Sequence, residues 1–267
     1  MQYFIIILNM KRLLSTFSSI DPNEILKFKN LRWWGPGEGN DASQALRNMH
    51  SARVQAIKQT LLNSKRMSQY TINKPGGFSA IDIGCGGGLM TETLKTEFGA
   101  SRVMGVDASS DSIEAARAHA KQNSIEIEYE CGTAEDIVKK GQKFDLVCAL
   151  EVVEHVSNPE LFLRSCTELC DGVLIVSTIN RNFFSYLMAI VAAERVFKLV
   201  PNGTHNWSKF LKVEELEDTV VHNVRPGPIF HTEKVVGLVY NPIFGTWTHT
   251  NTNICADRCN YIYFASK

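Results

Sequence analysis

No run of lysine or arginine breaks the charge balance of this chain: 28 basic residues stand against 28 acidic ones, for a formal net charge of zero. Without clustered cations, or aromatics interleaved with them, there is no footprint for a phosphate backbone, which argues against nucleic acid as a partner. A disulfide frame is missing too. The seven cysteines are odd in number and fall inside expected strands and helices, so a reducing compartment is the better reading. Cys166 and Cys170, like Cys255 and Cys259, are spaced more widely than the CxxC pairs of structural zinc sites. The apolar runs Tyr3–Leu8 and Phe183–Ala193 are too short to span a bilayer. No repeat or low-complexity segment appears. Acidic residues are absent before Asp21, and Lys11 and Arg12 lead into a Ser- and Thr-rich stretch; this composition predicts a mitochondrial targeting segment over residues 1–20.

What is present fits one α/β domain over residues 21–267, with an N-terminal helical extension and an insertion near 179–215. A short helix is expected over Glu24–Lys29, followed by Trp33 and Trp34 and the glycine-rich loop 35–40. Leu46, Met49, Val54, Ile57, Leu61 and Leu62 recur at helical spacing between Ala42 and Asn63. From Phe78 strands and helices alternate. Strands are expected near 79–83, 102–107, 125–130, 144–150 and 173–178, and helices near 88–98, 111–123, 159–170 and 182–198. Such alternation imposes crossovers, and so a mostly parallel sheet with helices on both faces. Val235–Tyr240 and Asn260–Phe264 predict a hairpin added at the sheet edge.

Two motifs carry chemistry. The apolar strand Ile81-Asp82-Ile83 runs into Gly84-Cys85-Gly86-Gly87-Gly88, where missing Cβ atoms let backbone approach a ligand and a helix start presents its N–H groups. The glycines are closer than in a dinucleotide-binding turn. Asp107 ends the next strand, placed to accept hydrogen bonds from ribose hydroxyls, and Thr133–Asp136 follows the third strand, where such a fold would meet adenine. This combination matches S-adenosylmethionine-dependent methyltransferases better than nicotinamide dehydrogenases, which would want the longer glycine spacing. Either acid of the 133–136 stretch, Glu135 or Asp136, can also be read as a solvated helix start.

The second motif is Glu151-Val152-Val153-Glu154-His155, delivered by the strand Phe144–Leu150. If a helical turn follows, Glu151, Glu154 and His155 share one face and can hold a divalent ion, Mg²⁺ or Mn²⁺ by the oxygen ligands, while the imidazole also admits Zn²⁺ or Fe²⁺. A helix start with acids at its dipole is the plain alternative, and a non-metal reading makes His155 a general base.

Together with Arg32-Trp33-Trp34, Thr178-Ile179-Asn180, Val200-Pro201-Asn202-Gly203-Thr204-His205, Lys209-Phe210 and Gly237–Pro242, these motifs resemble the ubiquinone-biosynthesis O-methyltransferases from about Ile20 to Lys267. The glycine turn is widely shared among methyltransferases, whereas Glu-Val-Val-Glu-His and Val-Pro-x-Gly-Thr-His are far more particular. The resemblance implies a class I methyltransferase fold, a Rossmann-like mixed sheet of seven strands whose last hairpin is antiparallel. It implies transfer of a methyl group from S-adenosylmethionine to a hydroxyl of polyprenylated catechols, at the dihydroxybenzoate and demethylubiquinol steps of ubiquinone synthesis. Cofactor contacts would fall on Arg53, Gly84, Asp107 and Leu150, and the ligands of a divalent ion, Mg²⁺ foremost, on Glu151, Glu154 and His155, with His155 as the catalytic residue. Two departures concern local geometry: the glycine turn after the helix near 159–170 is reduced to Asp171-Gly172, and Pro226 and Pro228 interrupt Asn223–Thr232. A degenerate fold serving as a scaffold is the non-enzymatic alternative, against which Gly84, Asp107, Glu151, Glu154 and His155 stand intact. The apolar stretch 183–193, flanked by Arg181, Glu194, Arg195 and Lys198, reads either as a buried helix or, the favoured expectation, as a surface helix that seats the enzyme on the matrix face of the inner membrane as a peripheral protein and admits the polyprenyl tail. Other biosynthetic proteins are expected as partners in a complex.

Overall fold

The computed structural model describes residues 18–30, 41–185, 206–222, 229–241, 244–250 and 259–267. The Trp33-Trp34 segment, the glycine-rich loop 35–40, the Val200–His205 stretch, Pro226 and Pro228, nearly all of the expected targeting segment and most of the expected 182–198 helix lie outside those residues.

Among the described residues three helices precede the sheet: α1 (Pro22–Asn30), the 23-residue α2 (Asp41–Asn63) and the short α3 (Lys65–Tyr70), which leads to β1 (Ser79–Ile83). Alternation then runs through α4 (Leu89–Thr96), β2 (Arg102–Asp107), α5 (Ser110–Gln122), β3 (Glu128–Cys131), α6 (Ala134–Lys139), β4 (Phe144–Leu150), α7 (Pro159–Leu169) and β5 (Cys170–Ile179), as expected except for α6. A short helix, α8 (Val213–Glu217), leads through a π-helical turn toward β6 (His231–Asn241), β7 (Thr246–Thr250) and β8 (Asn260–Ser266).

Among the described residues eight strands form one sheet in the order β3-β2-β1-β4-β5-β8-β6-β7. The first five pair in parallel, while β8 joins β5 and β6 antiparallel and β7 pairs antiparallel with β6. The expected seven strands thus become eight. The addition is β7, whose Trp247 packs on the core and lies 5.3 Å, ring to ring, from Tyr240 of β6. Thr246–Thr250 is too polar, and alternates too weakly in burial, to have been read as a strand from apolar pattern alone. The helix α6 was likewise hidden: its six residues are too few for periodicity, and it is set instead by Thr133, whose side chain and that of Asp136 form a capping box.

Strand alternation divides the interior in two. Ala80, Leu146, Cys148 and Ile175 face the core under α2 and α4, whereas Ile81, Val147, Leu174 and Val176 face the one under α6 and α7. The reduced glycine turn has a packing reason. A Cβ on Gly172 would sit 2.5 Å from the Asp145 carbonyl oxygen and 2.6 Å from the Tyr70 Cβ, so glycine lets β5 start tight against β4 and α3. Strand order reverses between β1 and β4, and in an open α/β sheet the crevice at the carboxyl ends of such strands is where ligands bind. Gly84 follows β1 there, and Glu151 follows β4.

Candidate active site

The glycine turn is built by backbone geometry that side chains would obstruct. Gly84, Gly86 and Gly88 all have positive φ, and a Cβ on Gly84 would lie 2.4 Å from Val152 Cγ2. Gly84 and Cys85 donate their N–H groups to the Val106 carbonyl, tying the turn to β2. Asp107 braces it from the other side: its Oδ2 accepts from Gly86 N at 2.9 Å and its Oδ1 from Ser109 N at 2.8 Å. Burial raises the Asp107 pKa, and the two backbone donors oppose that rise.

Asp82 lies beneath the turn, 2% exposed, accepting the Thr91 hydroxyl at 2.7 Å. Burial pushes it up to about 7 from an ordinary 3.8. The folded protein therefore holds a proton that the unfolded chain has released between about pH 4 and pH 7. Asp82's contribution to stability is full below that window and is lost as pH rises through it. Asp82→Asn, which stays neutral, is expected to gain melting temperature relative to the native protein as pH goes from 5 to 8. A difference that is flat in pH would contradict a buried, titrating Asp82.

The second motif departs from a shared helical face. Glu151 has φ +58°, a left-handed conformation that costs a non-glycine residue about 1–3 kcal/mol and recurs at active sites. That residue breaks the continuation into an α-helix, and Val153–His155 forms a 3₁₀ turn instead. The three side chains consequently take different partners. Glu151 pairs with Arg53 of α2 (3.1 Å) and accepts the Ser177 hydroxyl (2.6 Å). Glu154, 3% exposed, accepts the Thr178 hydroxyl at 2.9 Å, and burial followed by the charge of Glu151 pushes it up to about 8. His155 Nδ1 lies 3.0 Å from Glu24 Oε2 on α1. Among the described residues no three His, Cys, Asp or Glu side chains converge to hold an ion.

One cavity nevertheless gathers Arg53, Gly84, Asp107, Leu150, Glu151, Glu154 and His155, with Gly132, Thr133 and Ala134 on the side where adenine was expected. Its roof comes from the N-terminal segment: Ser19, Ile20, Asp21, Glu24 and Ile25 line it. The segment is fastened by Ser19 N to Glu135 (3.1 Å), by Ser157 N to the Ser19 carbonyl (2.8 Å), and by Lys209, which reaches Asp21 at 2.8 Å and Glu24 at 3.4 Å. The hydrogen bond from Lys209 holds Asp21 below the ordinary carboxylate range, and burial partly opposes it. Asp21, Glu24 and His50 were not read as site residues. The carboxylates carry no local motif, and only the i, i+3 spacing of His50 to Arg53 on α2 could have pointed to the histidine.

The donor chemistry suits a divalent cation even though these side chains do not converge. One guanidinium faces two carboxylates, and each of the three donors has an outer partner: Ser177 for Glu151, Thr178 for Glu154 and Glu24 for His155. A carboxylate on one ring nitrogen is the usual support for a metal-binding histidine.

The glycine turn at the switch point and the acid-braced crevice define an S-adenosylmethionine-dependent methyltransferase of class I. A profile described as a methyltransferase domain matches residues 80–171. The fold is shared with magnesium protoporphyrin IX methyltransferase from Synechocystis, solved with bound S-adenosylhomocysteine, at TM-score 0.61 and 15% identity over 96% of this chain and 99% of that one. It is shared also with a Thermotoga maritima S-adenosylmethionine-dependent methyltransferase, at TM-score 0.57 and 19% identity over 92% and 99%. Closer in sequence are the ubiquinone biosynthesis O-methyltransferases of Cereibacter sphaeroides, 36% identical over 93% of this chain and 97% of the relative, and of Bradyrhizobium diazoefficiens, 38% identical over 86% and 88%. The chain belongs to that family and is an S-adenosylmethionine-dependent O-methyltransferase.

Proposed function

We propose that this enzyme methylates a hydroxyl of polyprenylated catechols at the dihydroxybenzoate and demethylubiquinol steps of ubiquinone synthesis, assisted by a divalent ion, with Mg²⁺ the first choice. The observation that carries the site is the placement of Glu151, Glu154 and His155 in the same cavity as the glycine turn. The relatives' name supports the acceptor class.

Bound S-adenosylmethionine supplies an electrophilic methyl group on a sulfonium. Arg53, Gly84, Asp107 and Leu150, which line the cavity, would hold it, and at Gly84 the close packing of Val152 leaves no room for a Cβ. Glu151, Glu154 and His155 would hold the ion, which would lower the pKa of the acceptor hydroxyl. Glu24 holds the ring of His155 through Nδ1, and Nε2 would be the nitrogen that acts on the acceptor side. Lys209 in turn fixes Glu24; burial draws the Lys209 pKa down, but Asp21 and Glu24 outweigh it and keep the ammonium charged. A second reading is favoured by the separate partners of the three donors. In it Nε2 of His155 takes the hydroxyl proton, the oxygen bonds the methyl carbon as the C–S bond breaks, and S-adenosylhomocysteine departs.

Methyl transfer to a short-tailed catechol after chelation separates the readings. Activity lost to the chelator and restored by Mg²⁺ is the expected result; full turnover without metal would leave His155 as the base. On either reading Glu24→Gln is expected to lower kcat at least about tenfold with little change in KM, by releasing the imidazole. Unchanged kcat would remove Glu24 from the machinery.

Peripheral membrane contact belongs to the same proposal. Among the described residues no helix is long and apolar enough to cross a membrane. Phe183, just beyond the carboxyl end of β5, is 75% exposed. Phe183→Asp is expected to reduce flotation with liposomes several-fold, since about 0.8 kcal/mol is gained per buried methylene; unaffected flotation would sink the contact. The acid-free composition of residues 1–20 supports delivery to the mitochondrion, where partners in a biosynthetic complex would be met. A reporter carrying those residues that stayed cytosolic would contradict it.

A further inference from the structure

His50 occupies the cavity wall one turn before Arg53 on α2, and the mechanism above does not use it. Its Nε2 lies 2.9 Å from Thr93 Oγ1, and the same hydroxyl is 2.9 Å from the Leu89 carbonyl oxygen, which can only accept. Thr93 has a single hydroxyl hydrogen. Both contacts are hydrogen bonds only if Thr93 donates to Leu89 and His50 Nε2 carries the proton and donates to Thr93. That assignment makes Nδ1 a bare acceptor. Nδ1 is buried with no hydrogen-bond partner, and so is Nε of Arg53, a donor. Burial, and then the charge of Arg53, hold the His50 pKa down at about 4, so the ring is neutral at physiological pH.

An unmet acceptor and an unmet cationic donor, one helical turn apart on the wall of one cavity, complement the two ends of a zwitterion: an ammonium group that donates and a carboxylate that accepts. A buried polar atom left without a partner is costly, and a ligand that satisfies it recovers that cost on binding. Resting on the cofactor reading, we propose that His50 Nδ1 accepts a hydrogen bond from the α-ammonium of S-adenosylmethionine while Arg53 takes the adjoining carboxylate. His50 would be a binding residue for the amino-acid end of the cofactor. A catechol hydroxyl, also a donor, is the competing occupant of the same acceptor, and the choice of probe decides between them.

The test is calorimetric binding of S-adenosylhomocysteine and of 5′-methylthioadenosine, which has the nucleoside and thioether but no amino-acid end, to the native protein and to His50→Phe. The expected result is a roughly tenfold weaker S-adenosylhomocysteine complex with 5′-methylthioadenosine affinity unchanged. His50→Gln, which keeps a side-chain acceptor, is expected to recover part of the loss, and it becomes the deciding variant if the phenylalanine lowers the melting temperature. Undiminished S-adenosylhomocysteine binding would overturn the assignment and leave the acceptor to the catechol. An equal loss for both probes would also overturn it, by placing the effect at the nucleoside or in the packing of α2. Failure of the native protein to bind either probe would instead bring down the cofactor reading itself.

Discussion

Gly84→Ala is expected to reduce kcat/KM by about a hundredfold and to weaken S-adenosylhomocysteine binding in parallel. Two terms act together. The backbone at Gly84 has φ +73°, which an L-residue adopts at a cost of roughly 1–2 kcal/mol. The added Cβ would also lie 2.4 Å from Val152 Cγ2 and 3.1 Å from Cγ1, well inside the roughly 3.5–4.0 Å of a favourable carbon contact. Val152 cannot withdraw easily, because it is fixed between Glu151 in its left-handed conformation and the fully buried Val153. The strain therefore passes to the turn that approaches the cofactor, where a displacement of about 1 Å can lose a hundredfold in rate. Removing the clash alone provides a control. Adding Val152→Ala to Gly84→Ala should restore part of the binding but not all, since the backbone term remains. Binding within twofold of native in Gly84→Ala would show that the close packing of β1 against the Glu151 turn does not shape the cofactor site.

Arg53→Met is expected to destabilise the protein by about 3–5 kcal/mol, the range found when one partner of a buried ion pair is removed. Among the described residues the guanidinium is the positive group paired with Glu151, the two side chains are 6% and 14% exposed, and Glu154 lies close enough for the Glu151 charge to raise its pKa. Removing it leaves the half-buried Glu151 carboxylate without its positive partner, beside a buried Glu154. Arg53→Met combined with Glu151→Gln should regain most of the melting temperature but not the activity. If the carboxylates accept a divalent ion, Mg²⁺ should raise the melting temperature of Arg53→Met more than that of the native protein, because an ion that binds only the folded state stabilises it. A loss below about 1 kcal/mol would mean that the pair is solvated and weak.

The parallel half of the fold was legible because its strands are buried on both faces and its helices carry periodic apolar positions. Thus Ser79–Ile83 and Phe144–Leu150 were placed to the residue, and Arg102–Asp107 likewise. The polar edge strand β7 and the six-residue α6 were not, since neither carries a periodic apolar signal. At the site the glycine turn and the Glu151–His155 motif could be read because their residues are adjacent in sequence. Their partners could not. Arg53 meets Glu151 across 98 positions, and Glu24 meets His155 across 131, a distance that only the folded chain closes. The expected helical face of Glu151, Glu154 and His155 failed for a local reason: spacing assumes α geometry, and a positive φ at Glu151 is invisible in a sequence.

The most direct test of the account is transfer of labelled methyl from S-adenosylmethionine to a short-tailed polyprenyl catechol, run beside the matching monophenol that lacks the vicinal hydroxyl. The account predicts label on one oxygen of the catechol, little or none on the monophenol, and loss of transfer in Glu154→Ala and His155→Ala variants that still bind S-adenosylhomocysteine. Tight S-adenosylhomocysteine binding with no label on the catechol, with or without Mg²⁺, would contradict it.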